Sequence, residues 1–226
     1  MLELNRIYCG DCLPIMREME DKSVDLVLTD PPYGIRENNE QNLSRAHCTA
    51  AWKRAKANDY GHSEWDNRPP SAEYFAEIFR ISKNQIIFGG NYFGLPPSPC
   101  WVVWNKKTSG DFADCELAWT SFKSAVRMFE WLWNGYRQED MIHKEERVHL
   151  TQKPIPLMMW CLEKYSKPGD LILDPFLGSG TTAVACKKMG LDFIGIEKEP
   201  AYVEIALKRL EKVNNHKITD FFSVEA

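Results

Sequence analysis

Asp30-Pro31-Pro32-Tyr33 places a carboxylate, a proline-fixed carbonyl and an aromatic ring in four consecutive residues. A carboxylate and a main-chain carbonyl can both accept hydrogen bonds from an amino group, and a tyrosine ring can stack on a flat base. Asp and Pro also occur in ordinary turns for local reasons, so the tetrapeptide alone leaves a strand-ending turn open. The residues before it argue for more. Ser23-Val24-Asp25-Leu26-Val27-Leu28-Thr29 is a short apolar run of the kind that buried parallel strands use. The tetrapeptide therefore falls at a strand's C-terminal end, where open α/β sheets place their ligands.

A second stretch has the same placement. Asp174-Pro175-Phe176-Leu177-Gly178-Ser179-Gly180 joins a strand to a helix, in the position of a nucleotide-binding turn. It is neither G-x-G-x-x-G nor a P-loop, since no Gly-Lys-Ser/Thr follows. Its glycines let the backbone pass close to a ligand. Glu197 ends the next strand, at the distance where an acid typically binds ribose hydroxyls. The spacing favours adenosine attached to something other than a pyrophosphate. A tight β–α turn with a surface Glu is the plainer alternative.

The elements that must position these residues follow a clear pattern. Residues 6–9 read as a strand, 12–19 as a helix with Pro14 near its first turn, and 24–29 as a strand. Residues 71–82 predict a helix with Ser71 as N-cap and Tyr74, Phe75, Ile78 and Phe79 on one face. Residues 85–88 read as a strand and 155–165 as a helix; the apolar runs at 101–104, 116–119 and 125–129 read as further strands, their short length leaving helix open. The chain then runs strand 170–173, helix 181–189, strand 192–197 and helix 200–213. Such alternation implies a mostly parallel sheet with helices on both faces, an α/β fold.

Composition excludes little but shapes the rest. At 226 residues the chain suits one sizeable core, and a single domain over 1–226 is expected. Seven cysteines, odd in number and scattered, fit reduced thiols, and no apolar run reaches transmembrane length. Residues 1–6 lack a signal peptide's organisation, so a cytoplasmic protein with no membrane partner is expected. The net charge of −4 argues against nucleic-acid binding by bulk electrostatics. Arg45, Lys53, Arg54 and Lys56, and then Lys106 and Lys107, are clusters that offer weak support for phosphate contact. No metal is expected: His47, His62, His143 and His149 lack ligand spacing, and Cys9-x-x-Cys12 has no matching second pair. Cys9 and Cys12 also fit a redox pair, though nothing else is thioredoxin-like. Pro99-Cys100 reads as a loop cysteine rather than a nucleophile, and the eight tryptophans as core.

Taken together, Asp30-Pro31-Pro32-Tyr33 and Asp174–Gly180 resemble the motifs of S-adenosylmethionine-dependent amino-methyltransferases of DNA. The order is that of their beta class, with the catalytic motif first. Cys9-Gly10-Asp11-Cys12 is similar to that class's opening motif, whose Asp reaches the cofactor's adenine. His149-Leu150-Thr151-Gln152-Lys153-Pro154 is similar to its His-Pro-Thr-Gln-Lys-Pro signature, which helps hold the methionine end, with Leu150 replacing a proline. Gly195-Ile196-Glu197 matches the ribose-binding acid.

The resemblance spans nearly the whole chain and implies a circularly permuted, Rossmann-like methyltransferase sheet, mostly parallel with an antiparallel edge. It implies catalytic roles for Asp30, Pro31, Pro32 and Tyr33. Cofactor contacts are implied for Asp11, Cys12, Thr151, Gln152, Lys153, Asp174, Phe176, Gly178, Ser179, Gly180, Thr181, Glu197 and Lys198. The expected reaction moves a methyl group from S-adenosylmethionine to the N6 amine of a flipped-out adenine in DNA. N4-cytosine methylation poses the same chemical problem; that family more often carries Ser in place of Asp30. A non-catalytic nucleic-acid-binding module on the same fold is the alternative of a different class. Segments 34–70 and 106–146 are candidate DNA-recognition regions, a homodimer is common in the class, and a restriction-modification, phage or regulatory setting is open.

Overall fold

The computed structural model describes residues 2–35, 66, 68–108, 113–133, 137–148 and 151–213. Strands β1 (Arg6–Cys9), β2 (Val24–Thr29), β3 (Ser82–Phe88), β4 (Trp101–Asn105), β5 (Cys115–Thr120), β6 (Arg127–Glu130), β7 (Leu171–Asp174) and β8 (Asp192–Glu197) form one sheet. Its order is β1-β8-β7-β2-β3-β5-β4-β6. The helices among the described residues are α1 (Cys12–Arg17), α2 (Ala72–Ile81), α3 (Ile155–Tyr165), α4 (Thr181–Met189) and α5 (Pro200–Glu211), with a 3-10 turn at Gly90–Tyr92.

Two-residue periodicity covers both faces of the sheet. Ile86, Phe88 and Ile172 join the apolar cluster that holds α3 and α4 residues, whereas Ile87 and Leu173 join the cluster beneath α1 and α2. Phe75 and Ile78 are buried on the expected face of α2, and Tyr74 and Phe79 pack partly buried against the same cluster. Ser71 begins α2, but no hydrogen bond from its side chain caps the helix.

The sheet is mostly parallel, as expected, and β5 is its antiparallel member. It does not lie at the edge. β5 sits between β3 and β4, and the edge strand β6 pairs parallel with β4. A short β4–β5 connection reverses the chain inside the sheet, a detail that apolar runs of similar length could not order. Strands β7, β8 and β1 make up one half, from the two ends of the sequence, so the order is permuted. From β7 the chain winds towards β8, and from β2 towards β3. The β7–β2 junction is thus the point where the winding reverses, the ligand position of open α/β sheets.

Candidate active site

The two sequence-marked strand ends meet at that junction. Thr29 ends β2 and its Oγ1 donates to Asp174 Oδ1 of β7 at 2.7 Å. A cavity of about 390 Å³ opens above them, well sized for a small-molecule ligand. Among the expected residues, Asp30 and Pro32 line it, as do Asp11, Cys12, Thr151, Gln152, Lys153, Asp174, Phe176, Gly178, Ser179, Thr181, Glu197 and Lys198. Pro31 and Tyr33 face a small adjoining hollow shared with Asp30, Asp66 and Thr151. Gly180 lies outside the lining. It starts α4 at φ +85°, and a Cβ there would lie 2.7 Å from Ala206 Cβ, so glycine at this position permits close packing of α4 on α5.

On the β7–β8 side the cradle is built from backbone. Gly178 stands at φ +55° with open space where a Cβ would be. Its N–H donates to Glu197 Oε2 at 2.7 Å, and Glu199 N donates to Glu197 Oε1 at 2.8 Å. Burial raises the Glu197 carboxyl, and these backbone donors oppose the rise. Asp174 is pushed up by burial to about 6, against hydrogen bonds that include Thr29 and the Phe176 N–H. Arg209 of α5, which sequence reasoning missed, holds the loop from behind: Nη1 donates to Ser179 O at 2.7 Å, Ser179 Oγ at 3.0 Å and Thr181 Oγ1 at 3.2 Å. Asp11 caps α1 through Leu13 N at 2.9 Å while forming part of the cavity wall. The Tyr74 hydroxyl donates to it, and the Tyr74 ring lies 6.0 Å from that of Phe176.

On the β2–β3 side the site is built from side chains. Tyr33 Oη donates to Asp30 Oδ1 at 2.6 Å, and Lys153 Nζ donates to Asp30 Oδ2 at 2.5 Å. Lys153 is only 5% exposed; its ammonium also lies 3.1 Å from Glu116 Oε2, and Lys106 Nζ meets Glu116 Oε1 at 2.5 Å. Lys153 therefore faces the Asp30–Tyr33 motif as well as the larger cavity, a partnership its own motif did not suggest. Glu116 was missed because an isolated Glu in a short strand carries no signal. Gln152 turns inward and accepts from Val148 N at 2.9 Å.

Tyr33 packs against Gly89, where a Cβ would come within 2.2 Å of its ring. Tyr92 stacks on it at 5.0 Å, 17° from parallel. One face of the expected base platform is thus already covered.

Several other expectations resolve here. Lys106 and Lys107 are ion-paired, the latter with Glu139 at 2.8 Å, rather than free phosphate contacts. The cluster Arg45, Lys53, Arg54 and Lys56, the histidines His47, His62 and His149, and Leu150 lie outside the described residues. His143 is exposed and paired with Asp140. Cys100 is buried directly before β4, and the six described cysteines are free. Trp104, Trp119 and Trp133 are buried. No helix among the described residues is long and apolar enough to cross a membrane.

An open, permuted sheet with a cavity at its switch point is a Rossmann-like α/β architecture. Residues 101–208 match the sequence profile of the family described as DNA methylase. The Type II methyltransferase M.HinfI of Haemophilus influenzae is 29% identical over 93% of this chain and 69% of its own length. Two solved structures share the fold. M1.HpyAVI in complex with SAM has a TM-score of 0.53 at 24% identity, covering 91% of this chain and 99% of that one. The cytosine-N4-specific PvuII DNA methyltransferase has a TM-score of 0.55 at 15% identity, covering 95% and 90%.

Proposed function

We propose that this protein transfers a methyl group from S-adenosylmethionine to the N6 amine of adenine in DNA, acting on a base flipped out of the helix. The observation that carries the reading is the Thr29–Asp174 hydrogen bond, which brings the two strand ends together so that Asp30 borders the same cavity as Glu197.

The residues present fit the cofactor. Asp174 and Glu197 are buried in the cavity wall with Asp30 beside them, against Lys153 as the buried cation, a balance suited to a ligand carrying sulfonium and ammonium charges. Glu197 would hold the ribose hydroxyls and Asp11 the adenine, with Phe176 and Tyr74 as apolar walls and Gly178 giving room for close approach. Asp174, Thr151, Gln152 and Lys153 would hold the methionine end. Bound there, S-adenosylmethionine supplies an electrophilic methyl group.

An exocyclic base amine is a poor nucleophile because its lone pair is delocalised into the ring. Hydrogen bonds from the amine to the Asp30 carboxylate and the Pro31 carbonyl favour a pyramidal nitrogen whose lone pair points at the methyl. The amine sheds a proton in the exchange, and Asp30 is the carboxylate placed to receive it. The Tyr33–Tyr92 pair offers an aromatic surface to the base, with stacking of about 1–3 kcal/mol offsetting part of the flipping cost. The kinship with Type II enzymes supports a restriction-modification setting.

Incubating the protein with methyl-labelled S-adenosylmethionine and mixed-sequence DNA, then digesting to nucleosides, tests the reading. Label in N6-methyladenine is expected. Label in N4-methylcytosine would reassign the base, and no transfer would remove the enzyme reading.

A further inference from the structure

A row of alternating charges runs behind the acceptor motif. Lys106 follows β4, Glu116 lies in β5, Lys153 precedes α3 and Asp30 follows β2. Successive contacts measure 2.5 Å, 3.1 Å and 2.5 Å. Glu116 itself lines neither the cavity nor the adjoining hollow. We propose that Glu116 is a positioning residue for methyl transfer: it seats the Lys153 ammonium beside Asp30, so that the carboxylate keeps acceptor positions open for the incoming amine. The proposal rests on the methyl-transfer reading of the site.

Lysine has three donors and a flexible stem. Here the ammonium is held between Asp30 and Glu116, with the Tyr33 hydroxyl at 3.2 Å. Without Glu116, the ammonium keeps Asp30 as its one carboxylate partner and can close over both Asp30 oxygens.

Charge supports the arrangement. Burial pushes the Glu116 carboxyl up, but Lys153 and Lys106 outweigh it and hold it at about 2. Burial also raises the Asp30 carboxyl; Lys153 opposes that rise and Glu116 adds to it. The charged and titratable groups around Asp30 are Lys153, Glu116, Tyr33 and Asp174, with Asp66 across the hollow. Removing Glu116 must therefore lower the Asp30 titration, and removing Lys153 must raise it. Loosened packing would not displace the two variants in opposite directions.

The test measures kcat at saturating cofactor and DNA, and the Asp30 carboxyl titration by ¹³C NMR in the cofactor-free protein. For E116Q, kcat is expected to fall about tenfold with the cofactor KM within about twofold, since the loss is specific to the transition state. E116D, which keeps the charge, should recover most of the rate. The Asp30 midpoint should move down in E116Q and up in K153M. If E116Q does not fold, the double variant E116Q/K106M removes the outer pair together without orphaning a charge and should show the same kcat loss. Unchanged kcat, equal losses in E116Q and E116D, or midpoints moving the same way would overturn the proposal. A wild-type protein that methylates no DNA would defeat the functional reading by itself. The NMR displacement would still decide whether Glu116 governs Asp30.

Discussion

The two halves of the cavity are made of different materials. The β7–β8 half holds its key carboxylate with main-chain N–H groups of Gly178 and Glu199, positions set by backbone geometry. The β2–β3 half holds Asp30 with the side chains of Tyr33 and Lys153, the latter more than a hundred residues away in sequence. A backbone cradle tolerates side-chain exchange but not a change of backbone shape. A side-chain cluster has the opposite sensitivity, because removing one partner leaves a buried charge uncompensated.

Asp30→Ala probes this contrast hardest. Methyl transfer should fall by about 10²–10³ if the carboxylate acts in the transition state, while cofactor affinity changes only a few-fold. Calorimetric titration with the cofactor checks this; affinity lost together with activity would make Asp30 mainly a cofactor ligand. Gly178→Val should act on the other half. A residue forced to φ +55° costs roughly 1–3 kcal/mol, and its side chain enters the space left for the ligand. Cofactor affinity should drop at least about tenfold with the fold retained. A variant binding as tightly as wild type would remove the close-approach role.

Asp174 sharpens the comparison through pH. Burial holds its carboxyl up at about 6, above the ordinary value of 3.8, so the folded state holds a proton that the unfolded state has lost between those values. Stability of the cofactor-free protein should then decline as pH rises through that window, with a cost at pH 7 of order 3 kcal/mol. The difference between wild type and Asp174→Asn in urea unfolding at several pH values isolates this slope, and a flat difference would contradict it. Tyr92→Ala is the mildest change. Losing the ring that stacks on Tyr33 should raise the KM for DNA about two- to tenfold and leave cofactor binding unaltered. Equal loss in both would place Tyr92 in the shared scaffold.

The same contrast explains what the sequence disclosed. Asp174, Gly178 and Glu197 were legible because a glycine turn and a strand-terminal acid are local signals with a fixed spacing. Asp30 was legible for the same reason. Glu116, Tyr74, Tyr92 and Arg209 reach the site through strand order and helix packing, which leave no mark in their own neighbourhoods. The place of β5 inside the sheet escaped notice likewise: pairing partners depend on long-range connection, whereas an apolar run reveals only that a strand exists.

Gly34 closes against Asp66 and Pro69. Gly34 N donates to Asp66 Oδ1 at 2.7 Å, and Gly34 sits against Pro69, so tightly that a Cβ would lie 2.4 Å from its ring. Two points 32 residues apart in sequence are thus joined at the rim of the small hollow beside Asp30. A side chain at position 34 would break that closure at its tightest point, so the shape of the rim depends on glycine there.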